Sequence, residues 1–237
     1  MIRGVAGVLL GCLVVAGGVL ETRASDRDHV LRLGVVWIAP TGEWTTDGFF
    51  VEPVDPETRV EFSGDLTLEP DDAVGVAFSY EWRLTRRLGA EVGFFGAQHD
   101  ISGRLTGVAQ LIRNEDNEVL DEMTFDETET VGDITFTPWT VGVNVHLTPA
   151  KKIDVYAGPY LAYVLYGDLD IDGDKIPIDD EFTFGVVAGV DVPIGIGGWM
   201  FCGSLRYLHT QATASDTDRM VLDFDPYVAQ AGAAYRF

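Results

Sequence analysis

Apolar side chains recur at every second position in eight segments of this chain. A period of two belongs to strands and one near 3.6 to helices, so the alternation points to an all-β architecture. The segments are 30–39, 73–84, 88–98, 135–147, 153–166, 181–193, 199–210 and 226–237. Most exceed the roughly 9–11 residues that a tilted strand needs to cross the hydrocarbon of a bilayer. Beyond the first 24 residues, no apolar run reaches the roughly 18 expected of a spanning helix. A chain that crosses a membrane on strands must close them into a barrel, because lipid cannot satisfy an open edge.

The connections alternate in length. Thr85-Arg86-Arg87, 148–152 and 194–198 are tight turns, whereas 40–72, 99–134, 167–180 and 211–225 are long. With both ends of an up-and-down barrel on one side, every long connection lands on the other. Short inner turns, long outer loops and an even strand count form the pattern of bacterial outer-membrane barrels. One face of each strand suits lipid: Leu31, Leu33, Val35 and Trp37, or Trp139, Val141, Val143, Val145 and Leu147, carry no charge. A basic residue at the midplane would cost about 2–4 kcal/mol. Trp37, Trp82, Trp139 and Trp199 fall near strand ends, where an interfacial girdle needs them. A soluble sandwich or lipocalin-like barrel would show the same alternation with its apolar face turned inward.

The first residues read as an export signal. Arg3 precedes an apolar stretch of about 16 residues, and Thr22-Arg23-Ala24 offers a small-residue cleavage site. The LLGC tetrad ending at Cys12 resembles a lipoprotein box, but cutting there would strand the apolar residues 13–20 after the cut. The expected division is therefore a signal peptide at 1–24 and a barrel with long acidic outer loops at 25–237. Its destination is the bacterial outer membrane, with outer-membrane lipid and lipopolysaccharide as neighbours. Of 16 basic and 38 acidic residues, the signal removes Arg3, Arg23 and Glu21, leaving 14 and 37, a net charge of −23. That balance excludes nucleic acid, whose binders need a basic stripe. Cys202 is then the one remaining cysteine, so no intrachain disulfide is expected. At the C-terminus, Tyr227, Ala229, Ala231, Ala233, Tyr235 and Phe237 share one face, which suits a closing strand presented to the barrel-assembly machinery.

The opposite, inward faces hold the charges. Arg32, Glu81, Arg83, Glu91, His146, Asp154, Asp191 and Arg236 lie toward the short-turn end, with Arg206 further up its strand. Unpaired charges in a narrow lumen would lose several kcal/mol of hydration each, so a salt-bridged floor without a permanent pore is expected. Higher inward positions are apolar: Val36, Ile38, Phe95, Tyr160, Val164, Val187 and Leu208. They read either as a chamber for a small hydrophobic molecule or as ordinary filling of a small barrel.

Several stretches resemble one family. The run VGVAFSYEWRLTRRLGAEVGFFGAQHDI at 74–101 resembles the second and third strands of the outer-membrane protein W (OmpW) family. FTPWTV at 136–141, YAGPY at 156–160, FGVVAGVD at 184–191 with Trp199 and LRY at 205–207, and LDFDPYV at 222–228 with the closing YRF are similar to its later strands. The resemblance spans most of 30–237 and departs from the family in the longer, more acidic loops 41–70 and 103–134. It implies an eight-stranded antiparallel barrel with a hydrophobic channel for small apolar molecules and no catalytic residue.

Other constellations compete. Asp168, Asp170, Asp172, Asp174 and Asp179 fit a calcium-loop spacing, D-x-D-x-D-G-x5-D, with Gly173 at position six. Asp179 in place of a bidentate Glu, Lys175 at an aliphatic position and flanking strands favour a solvated hairpin tip. No other cofactor is expected. The nine acids of 115–133 suggest a mobile outer loop. A barrel hydrolase would need Ser and His together, yet Ser204 and His209 face opposite sides of one strand, and His99 has only Ser102 nearby. A structural or adhesive barrel acting through its acidic loops is the remaining alternative to passage of hydrophobic molecules. Pro159 and Pro193 each remove a ladder hydrogen bond, and either could mark a sideways exit.

Overall fold

The computed structural model describes residues 29–149, 152–171, 174–195, 197–214 and 221–237. The expected signal segment 1–24 lies outside the described residues. The strands are β1 (His29–Ala39), β2 (Trp44–Pro53), β3 (Thr58–Pro70), β4 (Ala73–Arg83), β5 (Leu88–Arg113), β6 (Val119–His146) and β7 (Asp154–Tyr166). Then come β8 (Leu169–Ile171), β9 (Asp174–Ile176), β10 (Ile178–Asp179), β11 (Glu181–Pro193), β12 (Trp199–His209), β13 (Gln211–Ala214), β14 (Val221–Asp223) and β15 (Tyr227–Arg236). Eight of them, β1, β4, β5, β6, β7, β11, β12 and β15, pair antiparallel in that order, and β15 returns to β1 from Val30↔Arg236 to Ala39↔Tyr227. The fold is an eight-stranded up-and-down β-barrel.

Burial decides which way the alternation points. Leu33, Phe184 and Leu205 are 60%, 62% and 67% exposed on the outside, while Arg32, Glu81 and Asp191 are at most 1% exposed inside. That inversion of the soluble pattern stabilises a barrel only where hydrocarbon surrounds it. Aromatic pairs ring both edges of the belt: Trp199–Tyr235 and Tyr80–His29–Phe237 at the short-turn end, Phe94–Trp139, Tyr163–Phe182 and Tyr207–Tyr227 at the other. Belt, girdle and fold make this an integral barrel of the outer membrane. The inner turns are tight for local reasons. Thr85 Oγ1 accepts from the amides of Arg87 and Leu88, and Gly198 has φ +91° with its would-be Cβ 2.3 Å from the Arg236 carbonyl, where only glycine fits.

Two of the outer connections, 40–72 and 99–134, are largely strand. β5 and β6 run on past the membrane to Arg113 and Val119, and the β2–β3 hairpin pairs with the extension of β5 from Thr58↔Arg113 to Pro70↔Ile101. The mobile loop expected at 115–133 is therefore corrected to a strand over most of its length. Its acids fall on both faces of an edge strand whose backbone is paired with β5, and Thr124, Thr128 and Thr130 suit that extended geometry. On the other side of the mouth, β10, β13 and β14 form a small sheet.

Candidate functional site: the barrel interior

Every barrel strand contributes an inward titratable side chain to a single cluster, and β4 contributes two, Glu81 and Arg83. Arg32 on β1 stands at its centre. Its Nη2 donates to Asp191 Oδ2 at 2.7 Å and Glu81 Oε2 at 3.0 Å, its Nη1 to Glu91 Oε2 at 3.1 Å, and its Nε to Asp191 Oδ1 at 3.2 Å. Arg83 Nη2 and Arg236 Nη2 donate to Asp154 Oδ2 at 2.8 and 3.2 Å, and Arg83 Nε faces Glu81. His146 lies between carboxylates, Nδ1 3.1 Å from Asp154 and Nε2 2.9 Å from Glu81. Arg206, one level higher, donates to Glu91 Oε1 at 2.9 Å. Four carboxylates thus meet four guanidiniums, all but the partly exposed Arg236 shielded from water, the condition under which buried charge is tolerated.

Two members of this cluster, Asn144 and Tyr156, did not stand out in the sequence, and Tyr160, expected in the apolar column, reaches it from above. Asn144 Nδ2 donates to both Glu81 Oε2 (3.0 Å) and Glu91 Oε2 (3.1 Å), holding two like charges apart. Tyr156 lays its ring under the Arg32 guanidinium at 4.8 Å, and Tyr160 lies 5.7 Å from that of Arg206. The inward parity of Asn144 and Tyr156 was readable; a neutral amide and one aromatic simply carry no charge signal.

Above the cluster the interior turns apolar. Val36, Ile38, Phe95, Tyr160, Val164, Val187 and Leu208 are all buried in one continuous group. Further residues complete it at the mouth. Phe224, ahead of β15, folds inward and packs against Phe136 (4.7 Å between ring centres), His99 (5.1 Å) and Tyr166 (6.2 Å). The Phe224 amide donates to the Thr210 carbonyl at 2.9 Å, which fixes this inward turn. The column is filled. A void of about 10 Å³, room for about one water, lies between Leu68, Ile101 and Ile134 on one side and Ile178, Ala212 and Leu222 on the other.

The other candidate residues are placed as follows. Asp170 stands across from Lys175 in the β8–β9 hairpin, and Asp179 lies on β10. Asp168 is exposed just before β8. Asp172 and the side chain of Asp174 lie outside the described residues. Among the described residues no group of three or more His, Cys, Asp or Glu gathers for a metal. Ser204 points inward to Gln230 at 3.3 Å, while His209 faces Asp225 at 2.8 Å outside. Pro193 pairs with Met200 at the inner end of β11. Pro159 does interrupt a ladder: β6–β7 pairing stops at Gly142↔Tyr160 and resumes at Val145↔Ala157. Even there the wall is shut, for a Cβ on Gly158 would come within 1.8 Å of the Val143 carbonyl.

No protein-family model matches the chain, and no curated protein sequence matches it. Its fold is similar to solved structures. The crystal structure of the outer membrane protein OprG from Pseudomonas aeruginosa superposes with a TM-score of 0.62 at 15% identity, covering 89% of this chain and 96% of that one. The solid-state NMR structure of outer membrane protein AlkL in DMPC lipid bilayers gives 0.55 at 16% identity, covering 92% and 94%. At these identities the likeness establishes the barrel fold.

Proposed function

We propose that this barrel binds small hydrophobic molecules and passes them across the outer membrane without chemical change, as its motif resemblance to the OmpW family implies. The supporting observation is the segregated interior: an apolar column stands directly on a neutralised charge cluster. The cluster of Arg32, Arg83, Arg206, Arg236 and their carboxylates blocks ions and water. An apolar guest would displace side chains of the column and leave sideways, with the break at Pro159 as the weakest stretch of wall. The filled column makes passage a gated event. Cells with an intact outer membrane should take up a small neutral aromatic probe faster when they carry the barrel, while planar bilayers show no large, steady ionic conductance. Uptake no faster than in cells without it, or a steady conductance, would overturn this reading.

A second reading, a structural or adhesive barrel, is favoured by the ordered sheet that projects from the mouth. Beads coated with the reconstituted protein should then adhere to cell or lipopolysaccharide surfaces, and inert beads would count against it. Contacts with lipopolysaccharide and with the assembly machinery through β15 belong to the same proposal.

A further inference from the structure

The outer sheet of β2, β3 and the extensions of β5 and β6 is amphipathic across its width. The paired rows place Leu66, Leu105, Phe62, Phe125, Met123 and Leu111 on one face, with Glu52 on the β2 edge and Asp121, Glu127 and Glu129 on the β6 edge of the same face. The alternate rows, with Asp47, Asp65, Thr106 and Asp126 in register, form the other. At its base the apolar face is continuous with the barrel interior through Leu68 and Ile101. Higher up it is open: Met123 is 65% exposed and Leu105 37%.

This face is concave. Gly48, Gly64 and Gly107 stand side by side in one row of it. A Cβ on Gly64 would lie 2.2 Å from the Thr106 carbonyl and one on Gly107 2.6 Å from that of Ser63, so the backbone curls toward the face. Phe62 and Phe125 stack at 5.2 Å, reaching toward each other from the two strands that flank β5.

The charge around the face has one sign. Segments 44–70 and 103–133 carry seven and nine acids against one and two arginines. Each arginine is held by a carboxylate: Arg59 by Glu61, Arg104 by Asp126, Arg113 by Asp116 and Glu118. Glu127 and Glu129 end the apolar rows on the same face, opposite Leu105 and Gly103. Two such sheets brought face to face would repel, which disfavours a second copy as the occupant.

We propose that this concave face captures hydrophobic molecules that are uncharged or cationic, delivers them to the barrel mouth, and rejects hydrophobic anions. The inference rests on the reading that apolar molecules enter the barrel, and adds their charge class. The test uses the full chain in lipid nanodiscs, with empty discs as the reference. Fluorescence titrations compare N-phenyl-1-naphthylamine with 8-anilino-1-naphthalenesulfonate, which has the same ring system plus a sulfonate. The neutral probe should bind about tenfold or more tightly than the anion. Met123→Glu and Leu105→Asp should each weaken neutral binding about tenfold, while Thr124→Glu and Val108→Asp on the opposite face leave it unchanged. The Glu127→Gln/Glu129→Gln variant should narrow the gap between the probes. Heat-shifted gel mobility confirms that each variant folds. Equal affinity for both probes, or apolar-face variants that bind as well as the parent, would overturn the proposal. So would self-association that buries the face, seen by sedimentation. Cellular uptake of the neutral probe is read separately: if the parent fails there, passage through the barrel is wrong, whereas the capture site stands or falls on the titrations.

Discussion

Arg32 and Arg104 make the same kind of bond in opposite surroundings. Arg32 is 1% exposed and binds three carboxylates inside the barrel, whereas Arg104 grips Asp126 with two hydrogen bonds of 2.8 and 2.9 Å on an outer sheet, at 57% exposure. Geometry is good in both, so water makes the difference. Inside, removing one partner strands the others without hydration; outside, solvent replaces whatever is lost. The inner charges are therefore structural members, while the outer sheet is held by its ladders and by apolar pairs such as Phe62–Phe125.

The sharpest way to break this comparison is Arg32→Met. It strips Asp191 of its hydrogen-bonded partner and takes one cation each from Glu81 and Glu91, and folding in vesicles should lose about 3–5 kcal/mol, read from the urea midpoint. A loss under about 1 kcal/mol would mean that water reaches the cluster and that the contrast is false. Phe136→Ala comes next. It removes a fully buried ring from the column and should cost about 3 kcal/mol in the same titration, with conductance bursts in planar bilayers if the column is the gate.

A smaller effect is expected from pH at the rim. The outward face of β5 turns polar at Gln98 and Asp100, so His99 sits above the spanning segment. Its Nδ1 lies 2.8 Å from the Asp71 carbonyl. Burial holds its pKa below the ordinary 6.5, outweighing that bond and the nearby carboxylates of Asp72 and Asp100. The opened rim then binds the proton more readily than the closed one, so closure weakens as pH falls below about 6.5. Amide exchange around 97–101 should quicken between pH 7.5 and 5, and His99→Gln should remove that dependence. The smallest change is predicted for Arg104→Ala, which should leave the thermal midpoint where it is. A clear drop would show that surface pairs do carry the outer sheet.

Much of this was legible along the chain. The spanning strands were, because lipid on one side and a lumen on the other force strict alternation, as in Val74, Val76, Phe78, Tyr80 and Trp82. The inner charges followed from their parity. The outer sheet was harder: Val60, Phe62, Leu66 and Leu68 alternate too, but Gly64 breaks the run, and the acids of β6 resemble those of a solvated loop. Pairing with β5 supplies the order that the local sequence does not announce. Phe224 was missed for a similar reason, since one aromatic in a long connection gives no sign that it turns inward.

The seam between β1 and β15 carries a consequence for how the molecule is made. It joins Val30 to Arg236 and is locked by reciprocal bonds between His29 and Phe237. Contacts so far apart in the chain form late, because the ends of a long segment must first find each other. Until they do, both strands are raw edges that lipid cannot satisfy. The wall therefore cannot be complete until this seam closes. Its assembly is committed by one final event, and a template able to pair with a free edge would set the pace.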